Sequence, residues 1–169
     1  LEGEPREDPC RQRERTEVPW LFLLHMKGKD SLVHPSEDKA KLRKRLKELT
    51  SRSWNIGYMR RKEVLTQFIR GWVTYFRWAD MRSFLEETDQ WLRSRIRMCI
   101  WKCWKRVRTR FKNLQEYGIA KSQAWQWANT RKGYWRVAHS IMLRAATNER
   151  LKSEGYPCLM DYYVKLHPC

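Results

Sequence analysis

The chain has 169 residues, of which 41% are hydrophobic and ten are tryptophan, so it can bury the core of one domain or of two very small ones. Its net charge of +17 and pI near 10.1 exceed what solubility requires and predict a polyanionic partner. No apolar run approaches the roughly 20 residues of a membrane span, and the odd number of cysteines, five, favours a reduced cytoplasmic setting over a disulfide-rich secreted class.

The first 18 residues are polar and highly charged, with Pro5 and Pro9 and no apolar period. Such a composition buries too little apolar surface to offset chain ordering, so we predict disorder. The short apolar run at residues 20–24 is compatible with a strand. We therefore interpret residues 1–33 as a disordered or vestigial N-terminal segment and residues 34–169 as one helical domain.

A first helix is predicted to begin with a cap at Ser36, a residue type that is common at this position. Glu37 and Asp38 follow in its first turn, where the helix dipole stabilises negative charge. It should end near Arg52. Its cations form a basic cluster, for which the alternative interpretation is the solvated side of an ordinary helix. The predicted buried residues are Leu42, Leu46 and Leu49, and the basic candidates are Lys41, Arg45 and Arg52.

A second helix is predicted over residues 59–78, where apolar side chains recur at steps of three and four. Gly71 interrupts this pattern. Because a glycine inside a helix costs about 1 kcal/mol relative to alanine, it indicates close packing of another helix at this point. The apolar stripe comprises Val64, Phe68, Trp72, Tyr75 and Phe76.

A third helix is predicted to begin at a Ser83 cap and to run as one continuous element to a C-terminal cap at Gly118. At about 100° per residue, it has an apolar side and an opposite, basic and aromatic side. The apolar side comprises Leu85, Leu92, Ile96, Cys99, Cys103, Val107 and Leu114. The opposite side comprises Arg93, Arg97, Trp101, Trp104, Lys105, Arg108 and Lys112.

A shorter helix is predicted over residues 122–129 and one or two over residues 134–147, which residues 149–154 either join or leave separate. A helix-breaking sequence follows at residues 155–157, and residues 159–166 are predicted to form a final turn or helix. The predicted fold class is therefore all-α. It is a helical bundle with three main helices and shorter C-terminal helices.

The strongest functional signal is the run at residues 93–112, which holds nine lysines or arginines, no acid, and two tryptophans. Because like charges repel one another, such a run indicates an anionic ligand. Nucleic acid is the first candidate, since phosphates supply the charge and bases stack on aromatic rings. The alternative is a solvated charged surface.

A second signal is the sequence R-K-G-Y-W-R at residues 131–136, where a glycine separates basic from aromatic residues. This arrangement suits close approach to a phosphate backbone. The alternative is an ordinary turn between helices.

Catalytic and metal-binding patterns are not found. The four histidines are scattered and have no patterned nucleophile beside them, and Asp80 has no second carboxylate near it in the sequence. Cys99 and Cys103 share a helical side but lack two further ligands, so we interpret them as small core residues. We predict no catalytic residue, no metal and no cofactor.

Four motifs occur in order along the chain: L-K-E-L-T-S-R-S, I-R-G-W-V-T-Y-F-R, a basic run that begins W-L-R-S-R-I-R-M-C-I, and R-K-G-Y-W-R-V-A. Together they resemble the group II intron maturase-specific domain, also called domain X, which is the thumb-like region of intron-encoded reverse transcriptases. The resemblance extends over about residues 34–163.

The resemblance implies a helical domain that binds its parent intron RNA, assists the splicing of that intron and serves as a polymerase thumb. It assigns the family's basic motif to Arg93, Arg95, Arg97, Lys102, Lys105, Arg106, Arg108 and Arg110, and its G-Y-W-R motif to Gly133, Tyr134, Trp135 and Arg136. The remaining predicted RNA-binding residues are Trp101, Trp104, Lys112, Arg131, Lys132, Lys41 and Arg45.

The chain also departs from the family. It lacks the polymerase fingers and palm with their Y-A-D-D sequence, so we expect no polymerase activity from this chain alone. The predicted location is the cytoplasm of a prokaryote. Because codons are degenerate, a gene sequence can be written for residues 3–22 that, read one nucleotide later, encodes a sequence like the one that precedes this domain in the family. One hypothesis is therefore that residues before about Phe22 are a frameshift product, which gene sequencing would test.

The predicted function is that of an RNA-binding maturase domain whose partner is structured group II intron RNA. Two alternatives stay open. One is a vestigial interaction module that self-associates through exposed apolar side chains, with Trp20, Leu21, Phe22 and Trp54 as candidates. The other is a general nucleic-acid binder, which would take duplex DNA equally well. No membrane partner is predicted.

Overall fold

The computed structural model describes residues 36–54 and 56–167. The chain divides into two units, Leu1–Leu32 and Val33–Cys169, and all described residues lie in the second. The predictions for residues 1–33, including the strand at residues 20–24, lie outside the described residues, as does the side chain of the predicted cap Ser36.

The described residues form helices and no strand, which confirms the all-α class. None of these helices combines the length and apolar character that crossing a bilayer requires. In chain order the helices are α1 (Ser36–Leu49), α2 (Tyr58–Tyr75), α3 (Arg82–Cys103), α4 (Val107–Glu116), α5 (Lys121–Ala128), α6 (Tyr134–His139), α7 (Ile141–Ala145), α8 (Asn148–Ser153) and α9 (Leu159–Leu166).

Helix α3 is the central element of the bundle. Helices α1, α6, α7 and α9 all pack against it, and α9 also packs against α2. As a result, all six residues from Ile96 to Trp101 are buried, although an amphipathic surface helix would bury only one side. The predicted leucine stripe of α1 is confirmed, since Leu42, Leu46 and Leu49 are buried in the same core.

Helix α2 buries a different side from the one predicted. Its buried apolar residues are Leu65, Ile69 and Val73, whereas most of the predicted stripe lies beside them and is only partly buried. The prediction for Gly71 is wrong. That residue is exposed, and a Cβ atom added there would meet no atom within 4 Å, so no neighbouring helix requires a glycine.

The predicted continuous third helix is wrong, because the chain leaves the helical path after Cys103. Trp104 turns inward, with its ring 5.9 Å from that of Trp101 and 5.5 Å from that of Tyr117. Arg106 is extended, and Arg110 Nε donates to the Trp104 carbonyl at 2.9 Å. Tertiary packing of an aromatic ring therefore ends α3, and a guanidinium group satisfies a carbonyl that the break frees from the helix.

The predicted ends of this region are partly correct. Ser83 does not cap α3, because the helix begins at Arg82 and Ser83 already lies in its first turn. Gly118 does end α4, at a φ of +81° that favours glycine. The Ile119 amide donates back to the Leu114 carbonyl at 3.0 Å, as expected for a glycine-terminated helix.

The C-terminal helix α9 is held by a buried acid of α3. Asp89, which is 2% exposed, accepts hydrogen bonds from the amides of Leu159 (2.8 Å) and Met160 (2.9 Å) and from the Cys158 thiol (2.9 Å). Burial, and next the contact with Asp89, raise the pKa of the Cys158 thiol, so the thiol stays protonated and can donate. Asp89 thus satisfies amides at the first turn of α9 that no intrahelical partner reaches.

We predict that Asp89→Asn lowers the free energy of unfolding by about 1–3 kcal/mol, because the amide group would present a donor to backbone donors in a buried site. Urea unfolding followed by circular dichroism measures this change. The control is Glu87→Gln, which removes the exposed 3.0 Å ion pair with Arg43 and should cost at most about 1 kcal/mol. Equal effects of the two variants would contradict this role for Asp89.

Candidate nucleic-acid interface

The two tryptophans of the basic run do not face solvent. Trp101 is 1% exposed and Trp104 is 8% exposed, so the prediction that both lie on an exposed basic and aromatic side is wrong. The physical reason is that α3 is covered by other helices and that Trp104 fills the break after it. Neither ring is available to stack on a base.

Arg97 is also misassigned to the exposed side. It is 3% exposed, and its Nε and Nη2 atoms donate at 2.8 Å to the Ala146 carbonyl and to Asn148 Oδ1. Burial, and next the charge of Arg93, lower the pKa of Arg97, but a guanidinium group stays protonated in proteins. The guanidinium group therefore stabilises the connection between α7 and α8 through these hydrogen bonds and is not accessible to solvent.

Arg95 fastens the end of α1 to α3. Its Nε donates to Thr50 Oγ1 at 2.6 Å, and its Nη2 donates to the carbonyls of Lys47 and Thr50, both at 3.1 Å. Burial lowers its pKa. Because these carbonyls are left unpaired by the end of the helix, Arg95 acts as a C-terminal cap supplied by another element.

Two further arginines of the run bind inside the protein. Arg93 is half-buried and donates to Cys158 Sγ at 3.3 Å. Arg110 is half-buried, with its guanidinium 4.7 Å from the centre of the Trp101 ring in addition to its bond to Trp104. The predicted basic motif therefore contains several cations whose main contacts are structural.

An open groove of about 1050 Å³ lies where three segments meet. One wall is the loop after α1, the second is the middle of α3, and the third is the start of α6. Five cations line the groove, and no carboxylate does. The lining residues are Lys47, Ser51, Arg52, Ser53, Arg95, Met98, Lys102, Gly133, Tyr134, Trp135 and Arg136.

Tyr134 is the point at which the three walls converge. The Arg52 guanidinium lies 5.3 Å from the centre of its ring, and Lys102 Nζ lies 5.1 Å from the same point. Lys102 Nζ also donates to the Tyr134 hydroxyl at 3.5 Å. Trp135 beside it is 46% exposed, with its ring 4.4 Å from that of His139. Two cations and two aromatic rings are thus fixed in a small volume.

The groove brings together only part of the predicted set. Lys102, Trp135 and Arg136 line it, together with the capping residue Arg95. Lys47 also lines the groove but was not among the predicted residues. Its position near the C-terminal end of α1 and close to Arg52 in the sequence could have indicated it. The predicted residues that do not line the groove are Lys41, Arg45, Arg93, Arg97, Trp101, Trp104, Lys105, Arg106, Arg108, Arg110, Lys112, Arg131 and Lys132.

The predicted basic cluster on α1 is partly neutralised. Lys41 pairs with Asp38 at 3.2 Å, and Arg45 pairs with Glu48 at 2.8 Å. Farther along the chain, Lys105, Arg106, Arg108 and Lys112 are exposed on α4 and the connection before it. Arg131 and Lys132 are exposed in the turn before α6. The cations therefore form several surfaces and not one continuous stripe.

The cysteine interpretation is half right. Cys99 is buried and donates to the Thr50 carbonyl at 3.2 Å, and burial raises the pKa of its thiol. Cys103 is exposed, so it is not a core residue. Within residues 36–54 and 56–167, no three His, Cys, Asp or Glu side chains are grouped to hold a metal ion.

Trp54, one candidate for an exposed apolar patch, is half-buried and packs against the core. The other candidates, Trp20, Leu21 and Phe22, lie outside the described residues. The exposed tryptophans of the described part are instead Trp78, Trp125 and Trp135.

A comparison with protein families matches part of this chain. Residues 39–118 match the model of the group II intron, maturase-specific domain. Over this segment the chain is similar to that family. No curated protein matches the chain.

The matched segment runs from within α1 to Gly118 and includes two of the three walls of the groove. The resemblance inferred from the motifs is therefore confirmed over this range, while R-K-G-Y-W-R lies beyond it. A maturase-specific domain by itself is not a polymerase catalytic domain.

We predict that Arg97→Ala destabilises the domain by about 1.5–3 kcal/mol, because it removes hydrogen bonds made by a buried charged group. Below the unfolding transition, its affinity for RNA should stay within about two-fold of the parent protein. Thermal unfolding and filter binding measure the two quantities. A variant of unchanged stability and strongly reduced affinity would show that Arg97 contacts the ligand.

Proposed function

We propose that this domain binds folded group II intron RNA in the groove between α1, α3 and α6 and thereby assists the splicing of that intron. The family match supports the intron as partner. The observation that carries the RNA-binding part is the composition of the groove, whose lining has five cations and no carboxylate.

Electrostatics favour a polyphosphate over a small anion. Each phosphate contacted by a lysine or arginine releases counterions, and several contacts together supply most of the affinity for nucleic acid. The groove is large enough for more than one nucleotide. Its cations come from three different segments, so a ligand that spans the groove contacts cations from each of them.

The arrangement around Tyr134 supports a phosphate position. Arg52 and Lys102 both lie within 5.3 Å of its ring centre, and no acid lines the groove to neutralise them. A phosphate group bound at this edge of the groove would accept charge-assisted hydrogen bonds from Arg52 or Lys102. Tyr134 orients them through its ring face.

The aromatic side chains favour folded RNA with unpaired bases over a regular duplex. Trp135 exposes 46% of its surface at the edge of the groove. Proteins recognise RNA sequence mainly through unstacked bases, which pack on exposed aromatic rings. A regular DNA duplex offers no such base, so phosphate contacts alone would hold it.

We predict that the triple variant Arg52→Ala, Lys102→Ala, Arg136→Ala binds a folded group II intron RNA far more weakly than the parent protein. Removal of three phosphate contacts should also flatten the dependence of log affinity on log salt concentration by about two to three units. Filter binding across a salt series measures both effects. Unrelated RNA of equal length and duplex DNA are the comparison ligands.

The matched control is Arg60→Ala, Arg70→Ala, Lys165→Ala, which removes the same number of exposed cations outside the groove. This control should keep the preference for the intron, because only general attraction is reduced. Equal losses in the two triple variants would contradict the groove as the binding site. Equal, steeply salt-dependent binding of all three ligands by the parent protein would reduce the function to general nucleic-acid binding.

A further inference from the structure

Helices α4 and α5 form a hairpin that presents a tryptophan outside the groove. Trp125 on α5 is 57% exposed. Its ring centre lies 5.6 Å from that of Phe111 on α4, with the two ring planes at 85°. Phe111 in turn packs against the core, so the tryptophan is held in place by a fixed partner.

Trp125 keeps an open surface for a ligand. It is 57% exposed although its ring contacts Phe111 in an edge geometry. A planar group can therefore pack against the exposed part of the indole.

The exposed side chains of α5 near Trp125 are basic or polar. Lys121 lies one turn before it, Ser122 and Gln126 are exposed on the same helix, and Asn129 is exposed just after it. On α4, Arg108 and Lys112 are exposed and stand at positions i and i+4, on a side next to Phe111. The exposed large apolar residues of the hairpin are Trp125 and Val107, which is 37% exposed, so the apolar patch is small for a protein interface.

Little negative charge opposes an anion here. Between Asp89 and Glu149 the sequence has one acid, Glu116, which pairs with Lys112 at 3.8 Å. No carboxylate of the described part lies within 4 Å of a nitrogen of the Arg108 or Lys121 side chain. Charge complementarity therefore favours a nucleic-acid strand over an apolar peptide.

We propose that the α4–α5 hairpin is a second, separate contact for single-stranded RNA. An unpaired base stacks on Trp125, and the adjoining phosphates contact Arg108 and Lys121. This inference rests on the proposed RNA-binding function but not on the groove, whose lining includes none of these residues.

The test uses fluorescein-labelled decauridine, an unstructured RNA, and measures its affinity for the full chain by fluorescence anisotropy. Stacking on an exposed aromatic ring contributes enough that Trp125→Leu should weaken binding by roughly five-fold or more. Trp125→Phe keeps an aromatic ring and should lose less than half of that effect on a logarithmic scale. Circular dichroism confirms that both variants fold.

Trp78→Leu is the matched control, because Trp78 is 65% exposed, lies between α2 and α3, and has the Arg77 guanidinium 4.9 Å from its ring centre. It should leave decauridine affinity unchanged. Equal losses in Trp78→Leu and Trp125→Leu, or full retention in Trp125→Leu, would overturn the proposal. So would a concentration-dependent dimer that Trp125→Leu abolishes, since the ring would then bind a second copy.

The groove triple variant separates the two proposals. It should retain a Trp125-dependent affinity for decauridine even though it loses preference for the folded intron. If the groove substitutions leave intron binding intact while Trp125→Leu weakens decauridine binding, the proposed groove function fails and the hairpin contact stands. If the groove substitutions abolish the preference for the intron while Trp125→Leu leaves decauridine affinity unchanged, only the hairpin contact is overturned.

Discussion

The fold depends on charged side chains of α3 that bind backbone groups of other elements. Asp89 accepts from the first amides of α9. Arg95 donates to one carbonyl in the last turn of α1 and to one just after it, and Arg97 donates to the connection between α7 and α8. A buried ion costs several kcal/mol unless hydrogen bonds replace its hydration. Each of these ions is compensated by two or three such bonds, so the neighbouring segments can occupy only the positions that supply them.

The same contacts shape the candidate site. Because Arg95 holds the loop after α1, Lys47 and Arg52 are kept at the edge of the groove, opposite the start of α6. Helix α3 thus carries two kinds of cation at short spacing. Some point into backbone carbonyls and stabilise the fold, whereas Lys102 remains available to a ligand beside Tyr134. The net charge of +17 therefore overstates the charge presented at any one surface.

Residue spacing and turn chemistry predicted those elements that depend mainly on residues close together in the sequence. The all-α class, the leucine stripe of α1 and the glycine end of α4 follow from spacing and from glycine chemistry, and the structure confirms them. For residues 159–166, where a turn or a helix was predicted, the structure has a helix. The break at Trp104 could not be predicted, because no glycine or proline marks it. It results from packing against Tyr117, which lies thirteen residues farther along the chain.

The site was harder to predict than the fold for a similar reason. Arg97 and Lys102 both belong to the basic run. Arg97 has a structural role because it donates to the Ala146 carbonyl and to Asn148 Oδ1, which lie 49 and 51 positions away. Periodicity assigns a helix one buried side, but a central helix is covered on several sides. Composition therefore predicted an anionic partner, and tertiary contacts selected which cations can reach it.

Photochemical cross-linking to a folded group II intron RNA substituted with 4-thiouridine is the most direct test of the groove as the RNA-binding site. We expect cross-linked peptides that contain residues 47–53 and 133–136, the two groove walls that flank α3. Cross-links confined to the outer surface of α2 and α9, with none in either wall, would contradict it.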